Sequence, residues 1–263
     1  MRRAAIPIVL LLGWVLAVRA AADLRLDAES QVGNAVDLRL RATNGADAPV
    51  HDVVPELVYR HRTVVAERVQ TIGAHAAHEW QTSLDAPPGP GTFPVTIRLR
   101  YADPEAGTRS ALLVHLIRTP GSPPADVQVV VATEPVTRLA HGAVTLENGA
   151  PAPVAGRLVV ALPPDLRSDP ESRPAEVPAA GRATLPVVVE NVAARPGDVR
   201  PMFALFEYDR DGAHHAVLGE AMLSVAARRA DARPLLVGAA ALAVALATLA
   251  LAWRSVRARQ PRV

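Results

Sequence analysis

Six of seven consecutive residues in the first part of this chain return about a hundred positions later. Asn44-Gly-Ala-Asp-Ala-Pro-Val50 becomes Asn148-Gly-Ala-Pro-Ala-Pro-Val154, an offset of 104 positions. Each copy follows an alternating segment, Ala35–Thr43 in the first case and Gly142–Glu147 in the second. A second landmark keeps nearly the same spacing. Pro90-Gly91 precedes a long run ending at Tyr101 and a turn at Asp103, and Pro196-Gly197 precedes another ending at Tyr208 with a turn at Asp209. The two tyrosines lie 107 positions apart. A chain that repeats itself at this period builds one compact unit twice, and about a hundred residues with roughly seven strands is the size of an immunoglobulin-like sandwich.

The units read as strands. Val36-Asp-Leu38-Arg-Leu40-Arg-Ala42 alternates apolar and polar residues with period two, as a half-buried strand must. Phe93-Pro-Val95-Thr-Ile97-Arg-Leu99-Arg-Tyr101 does the same, and Ala111–Ile117 and Val127–Ala132 are shorter apolar runs. Asn44-Gly45, Pro87–Gly91, Asp103-Pro104 and Asn148-Gly149 supply the turns. No long window before Pro234 has helical periodicity. The expected fold is therefore all-β: two tandem immunoglobulin-like β-sandwiches over residues 23–118 and 126–226. The proline-rich linker 119–125 between them is a semi-rigid spacer.

Both ends of the chain read differently. Pro234–Trp253 carries no charge, and as a helix it would be about 30 Å long, the hydrocarbon thickness of a bilayer. Residues 234–253 are therefore expected to form one C-terminal transmembrane helix, joined to the second sandwich by a connector at 227–233. The tail 254–263 carries Arg254, Arg257, Arg259 and Arg262, which favour the cytoplasmic side. At the other end, Arg2 and Arg3, the apolar Ala4–Val18 and the small residues Ala20-Ala21-Ala22 have the order of a secretory signal peptide, residues 1–22. The expected topology is single-pass type I in the cell (inner) membrane, with the ectodomain extracytoplasmic.

The chain of 263 residues has no cysteine, which points to a bacterial envelope and excludes disulfides, thiol catalysis and thiolate metal sites. Its formal net charge is +2 and no basic block forms a nucleic-acid stripe.

The order of alternating strand, Asn-Gly turn, Pro90-Gly-Thr-Phe-Pro-Val95, long strand and Tyr-x-Asp turn resembles the bacterial immunoglobulin-like modules known as NEW3 or CARDB. The resemblance covers residues 24–118 more fully than 126–226. It implies a role as a spacer, an adhesin stalk or an accessory domain of envelope machinery, and it brings no shared catalytic residues.

Candidate sites are few. The second unit has strands apolar on both faces: Leu158–Ala161, Leu185–Val189 and Met202–Phe206. A sandwich strand needs only one buried face. The surplus is either covered from within, by the proline-rich loop Pro163–Pro178 or by the first domain, or it forms a partner surface marked by Phe203 and Leu205. Ala239, Ala243 and Ala247 recur every four residues in the apolar run, a spacing that permits close helix contact in lipid.

Glu207-Tyr-Asp209-Arg-Asp211-Gly212 has the start of a calcium loop, but its twelfth position is Leu218, so it reads as a hairpin turn. His75 and His78 lack a third metal ligand. His214 and His215 are neighbours in a strand and point to opposite faces. Trp80 shares a face with Leu84 and is expected in the core rather than on a sugar-binding platform. No nucleophile elbow, phosphate loop or cofactor motif is present.

These readings converge on a non-catalytic, membrane-anchored scaffold or accessory subunit that binds another envelope protein, with no metal or cofactor. A cell-surface polysaccharide-binding module is the alternative, and a hydrolase accessory domain the second.

Overall fold

The computed structural model describes residues 24–105 and 107–227. These residues are all-β, and none of their structure includes a helix long and apolar enough to cross a membrane. Residues 1–22, expected as a signal peptide, and the apolar run 234–253 with its alanines 239, 243 and 247 lie outside the described residues.

The first sandwich has eight strands: β1 (Leu24–Val32), β2 (Ala35–Asn44), β3 (Val50–Tyr59), β4 (Arg62–Val65), β5 (Val69–Ile72), β6 (Ala77–Asp85), β7 (Thr92–Asp103) and β8 (Gly107–Arg118). One sheet has the order β1-β2-β6; the other runs β4-β3-β7-β8, with β5 also paired to β3. The period-two pattern decides which faces meet. In β2, Val36, Leu38, Leu40 and Ala42 are buried while Asp37, Arg39 and Arg41 face out. Val95, Ile97, Leu99 and Tyr101 of β7 close the same core from the other sheet. Trp80 of β6 is 5% exposed in that core, and its indole N–H donates to the Glu67 carbonyl at 2.8 Å.

The second sandwich repeats the plan with β9 (Val127–Thr133), β10 (Leu139–Asn148), β11 (Val154–Ala161), β12 (Leu166–Asp169), β13 (Ser172–Val177), β14 (Arg182–Asn191), β15 (Val199–Arg210) and β16 (Ala213–Ser224). Its sheets have the orders β12-β14-β10-β9 and β13-β11-β15-β16. One element departs from the first copy: β4 pairs with β3, whereas its counterpart β12 pairs with β14 in the opposite sheet.

The stretch Pro163–Pro178, expected as a loop, holds β12 and β13. Both are short strands at sheet edges, where the missing N–H of Pro174 costs no interior ladder bond. The β15–β16 connection is a two-residue hairpin turn at Asp211 and Gly212, with φ of 51° and 74° as a type I′ turn requires. The chain thus uses Asp-Gly as a hairpin turn.

The repeated Asn has a structural role. Asn44 is fully buried; its side-chain amide donates to the carbonyls of Ala48 and Gly73 at 2.9 and 3.0 Å, and its oxygen accepts from the N–H of Ala46 at 3.0 Å. Asn148 does the same with the carbonyls of Ala152 and Pro178 and the N–H of Ala150, at 2.9, 3.0 and 2.9 Å. Each Asn staples the turn after its own strand to a loop about thirty residues further on.

Candidate functional site

Two outer sheet faces meet where the sandwiches touch. The first copy offers β8. Its inward residues are Ala111, Leu113 and Ile117, and its outward Leu112 and Val114 are also apolar. The second copy offers β15. Met202, Ala204 and Phe206 fill its own core, while Phe203 points the other way. Phe203 packs with Leu112 and Val114, flanked by Ala161 and Leu218, so the two apolar faces bury each other.

A buried ion-pair network borders this contact. Nη1 of Arg109, on β8, lies 3.2 Å from both carboxylate oxygens of Asp198. The guanidinium of Arg200 bonds Asp198 at 2.9 Å and Asp165 at 2.7 Å. Arg109 and Arg200 are 8% and 4% exposed. Burial tends to raise the Asp198 pKa, but the Arg195 N–H and the Arg200 and Arg109 guanidinium groups outweigh it and hold the carboxyl below its ordinary value. The network lines a small hollow of about 290 Å³.

The backbone supplies a third link. The N–H of His214 donates to the Pro90 carbonyl at 3.1 Å, and Gly91 forms a parallel bridge with His214. Gly91 has φ of 143°, and a Cβ there would lie 2.1 Å from the His214 carbonyl oxygen. Its N–H donates to the hydroxyls of Thr119 and Ser122 at 2.8 and 3.0 Å, tying down the start of the linker. The imidazole of His214 stacks on Phe93 with centroids 4.9 Å apart. Its ring nitrogens face Asp209 at 2.8 Å and Glu207 at 3.4 Å. Hydrogen bonding to Glu207 leads the causes that raise the His214 pKa above its ordinary 6.5, and Asp209 adds to it.

Beside this link lies a wedge of about 540 Å³. Its walls are Val58, Phe93 and Pro94 from the first sandwich and Val159 and Leu205 from the second. Arg60, His61 and Arg157 stand at its charged side, with His214 and Glu207 beside them. Arg60 and His61 form the β3–β4 turn, with φ of 48° and 63°.

The two proposed partner-surface residues are both at this junction. Phe203 and Leu205 are each 5% exposed; the first is covered by β8 and the second lines the wedge. Coverage by the first domain, one of the two explanations open from sequence, is what the structure shows for Phe203. The complementary strand was visible as the apolar run Ala111–Ile117, which also exceeds what one buried face needs. The ion-pair network had no such signal, because Arg109, Asp165 and Asp198 are scattered single charges in the sequence.

The other candidate side chains make local contacts. His75 meets Asp47 at 3.0 Å, and His78 makes an edge-to-face contact with Trp80, centroids 4.5 Å apart. His215 stacks on Tyr208 at 4.7 Å, on the opposite face from His214, and burial lowers its pKa. Among the described residues no group of three His, Cys, Asp or Glu could hold a metal ion. Ser30 and His115 share a hydrogen bond of 2.9 Å, joining β1 to β8 across the edge of the first sandwich. Burial lowers the His115 pKa. A polar hollow of about 500 Å³ on β1, β2 and β6, lined by Glu29, Gln31, Asp37, Arg39 and Gln81 among others, has no aromatic side chain in its walls.

No protein-family model matches the chain, and no curated protein matches its sequence. Among solved structures, red sea bream transglutaminase is 17% identical over 80% of this chain and 32% of its own, with a TM-score of 0.29. Salmonella alpha-2-macroglobulin is 12% identical over 79% of this chain and 16% of its own, with a TM-score of 0.34. The YadV chaperone is 13% identical over 76% of this chain and all of its own, with a TM-score of 0.30. The chain thus spans about a third of the transglutaminase and about a sixth of the macroglobulin.

Proposed function

We propose that this chain is a non-catalytic scaffold or accessory subunit of a bacterial envelope machine, built from two immunoglobulin-like modules of the NEW3 or CARDB type. In this reading residues 1–22 direct export and residues 234–253 anchor the chain in the cell membrane, with the arginine tail inside. The two sandwiches then present a fixed surface to another envelope protein.

The observation that carries the reading is the junction. Phe203 packs on Leu112 and Val114, Arg109 pairs with Asp198, and Gly91 bridges to His214. A flexible tether would need none of these contacts; a part that positions a partner needs its two modules in one orientation.

The test is purification of the full chain from its native membranes in mild detergent after cross-linking. A stoichiometric membrane partner is expected, with the N-terminus beginning near Asp23. If the chain purifies alone and its binding on a glycan array is saturable, the polysaccharide-binding alternative replaces this reading. Recovery in the cytosolic fraction would remove both.

A further inference from the structure

We propose that the wedge between the sandwiches is where the partner docks, and that its occupant is an extended segment carrying acidic side chains beside apolar ones. This rests on the accessory-subunit reading and names the surface it uses.

The wedge has an apolar wall and a cationic side whose one acid, Glu207, stands opposite Arg157 in the β11–β15 ladder. Val58 is 37% exposed, and Val159 and Leu205 face it across the gap. Arg60 donates to the Ala86 carbonyl at 3.1 Å and Arg157 to the Ser172 hydroxyl at 3.3 Å; among the described residues neither makes an ion pair. Glu207, the acid in the wedge, lies against His214. Two guanidinium groups with neutral partners beside apolar side chains match a segment that brings carboxylates together with aliphatic groups. An extended strand alternates its side chains between two directions, so one row would face the guanidinium groups and the other the aliphatic wall.

The turn that carries Arg60 and His61 is a second observation. Both residues have positive φ, a conformation that costs a bulky residue about 1 kcal/mol or more and that Asn-Gly adopts readily. The same chain uses Asp211-Gly212 for the two-residue β15–β16 turn. At β3–β4 it carries two bulky basic side chains at a backbone cost, and both border the wedge.

The experiment uses the full chain and fluorescein-labelled hexapeptides read by anisotropy. Glu-Val-Glu-Leu-Glu-Val is expected to bind and to weaken with added salt, while Lys-Val-Lys-Leu-Lys-Val and Glu-Gly-Glu-Gly-Glu-Gly bind at least about tenfold more weakly. The double variant Arg60→Gln/Arg157→Gln is expected to lose about tenfold for the first peptide. Both side chains are exposed, so its thermal midpoint should match the wild type. Equal binding of the acidic and basic peptides, no binding by the acidic one, or an unaffected double variant each overturns the proposal. Cross-linked pull-down separates the two levels. A partner that co-purifies equally with wild type and double variant removes the wedge and leaves the accessory role. No partner with either protein removes the accessory role itself.

Discussion

A buried amide has no water to turn to, so the chain itself must satisfy it. Asn44 does this with three carbonyls and one N–H, Asn148 with two carbonyls and one N–H. Replacing either by Ala leaves these main-chain groups without that partner; a fully buried orphan costs about 1–3 kcal/mol, and most of these are part-buried and cost less. Asn148→Ala is therefore expected to destabilise the second sandwich by about 2–4 kcal/mol, and Asn44→Ala to do the same to the first. Urea unfolding of the full chain, followed by near-ultraviolet absorbance and circular dichroism, checks both; a loss below about 0.5 kcal/mol in either variant would show the staple to be idle. The recurrence of Asn-Gly-Ala was legible in the sequence, and so was its place after a strand. Its role was not, because the second anchor comes from Gly73 in one copy and Pro178 in the other, and those segments share only an Ala in register. Trp80 was legible for the opposite reason: its two-residue rhythm with Leu84 alone places it inward.

Strands carry their own signature when both faces are buried. Met202–Phe206 is such a run, and the outward Phe203 announces a second contact before the structure identifies it. Ala111–Ile117 is its counterpart. That each covers the other is a long-range pairing that periodicity cannot report. β12 and β13 escaped the same reading because they are four and six residues long and carry Pro, Arg and Ser between few apolar positions.

The packing of β15 on β8 makes a definite expectation for Phe203→Asp. The change removes a buried ring and puts a carboxylate against Leu112 and Val114, at a cost of about 3 kcal/mol or more to docking. Each sandwich keeps its own core, because Phe203 belongs to neither. The chain has no cysteine, so labels at Val65→Cys and Met222→Cys, both well exposed, report the separation by electron–electron resonance. The variant should broaden and lengthen that distance while far-ultraviolet dichroism stays unchanged. An unaltered distance would mean that the ion pairs and the Gly91 bridge hold the junction without the ring.

At the scale of the whole molecule, the two sandwiches are joined by groups whose pKa values are moved in opposite directions, His214 up and Asp198 down. His214 has its pKa held above 6.5 by Glu207 and Asp209, so its contribution is complete below 6.5 and fades as the pH rises through the higher folded value. Asp198 is held below 3.8, so its contribution is complete above 3.8 and fades as the pH falls through the lower folded value. Glu207 and Asp209 belong to the same sandwich as His214, so the link of His214 to the junction is the stack of its imidazolium on Phe93, as that of Asp198 is its pair with Arg109. The junction should therefore close most firmly between these two values and loosen on either side. Burial of the ring works against Glu207 and Asp209, and Arg60, His61 and Arg157 stand in the same wedge. His115 and His215, whose pKa values burial lowers, act within a sandwich: charging them below 6.5 weakens one core or the other, not the contact between them. The distance between the two labels isolates the junction from that effect. From pH 5 to pH 9 the separated population should grow in the wild type, while His214→Gln should hold it nearly constant over the same range and still open in acid. If the wild-type distance is indifferent to pH, or if His214→Gln opens between pH 5 and pH 9 as the wild type does, the imidazole is a bystander and the orientation is fixed by β8, β15 and Gly91 alone.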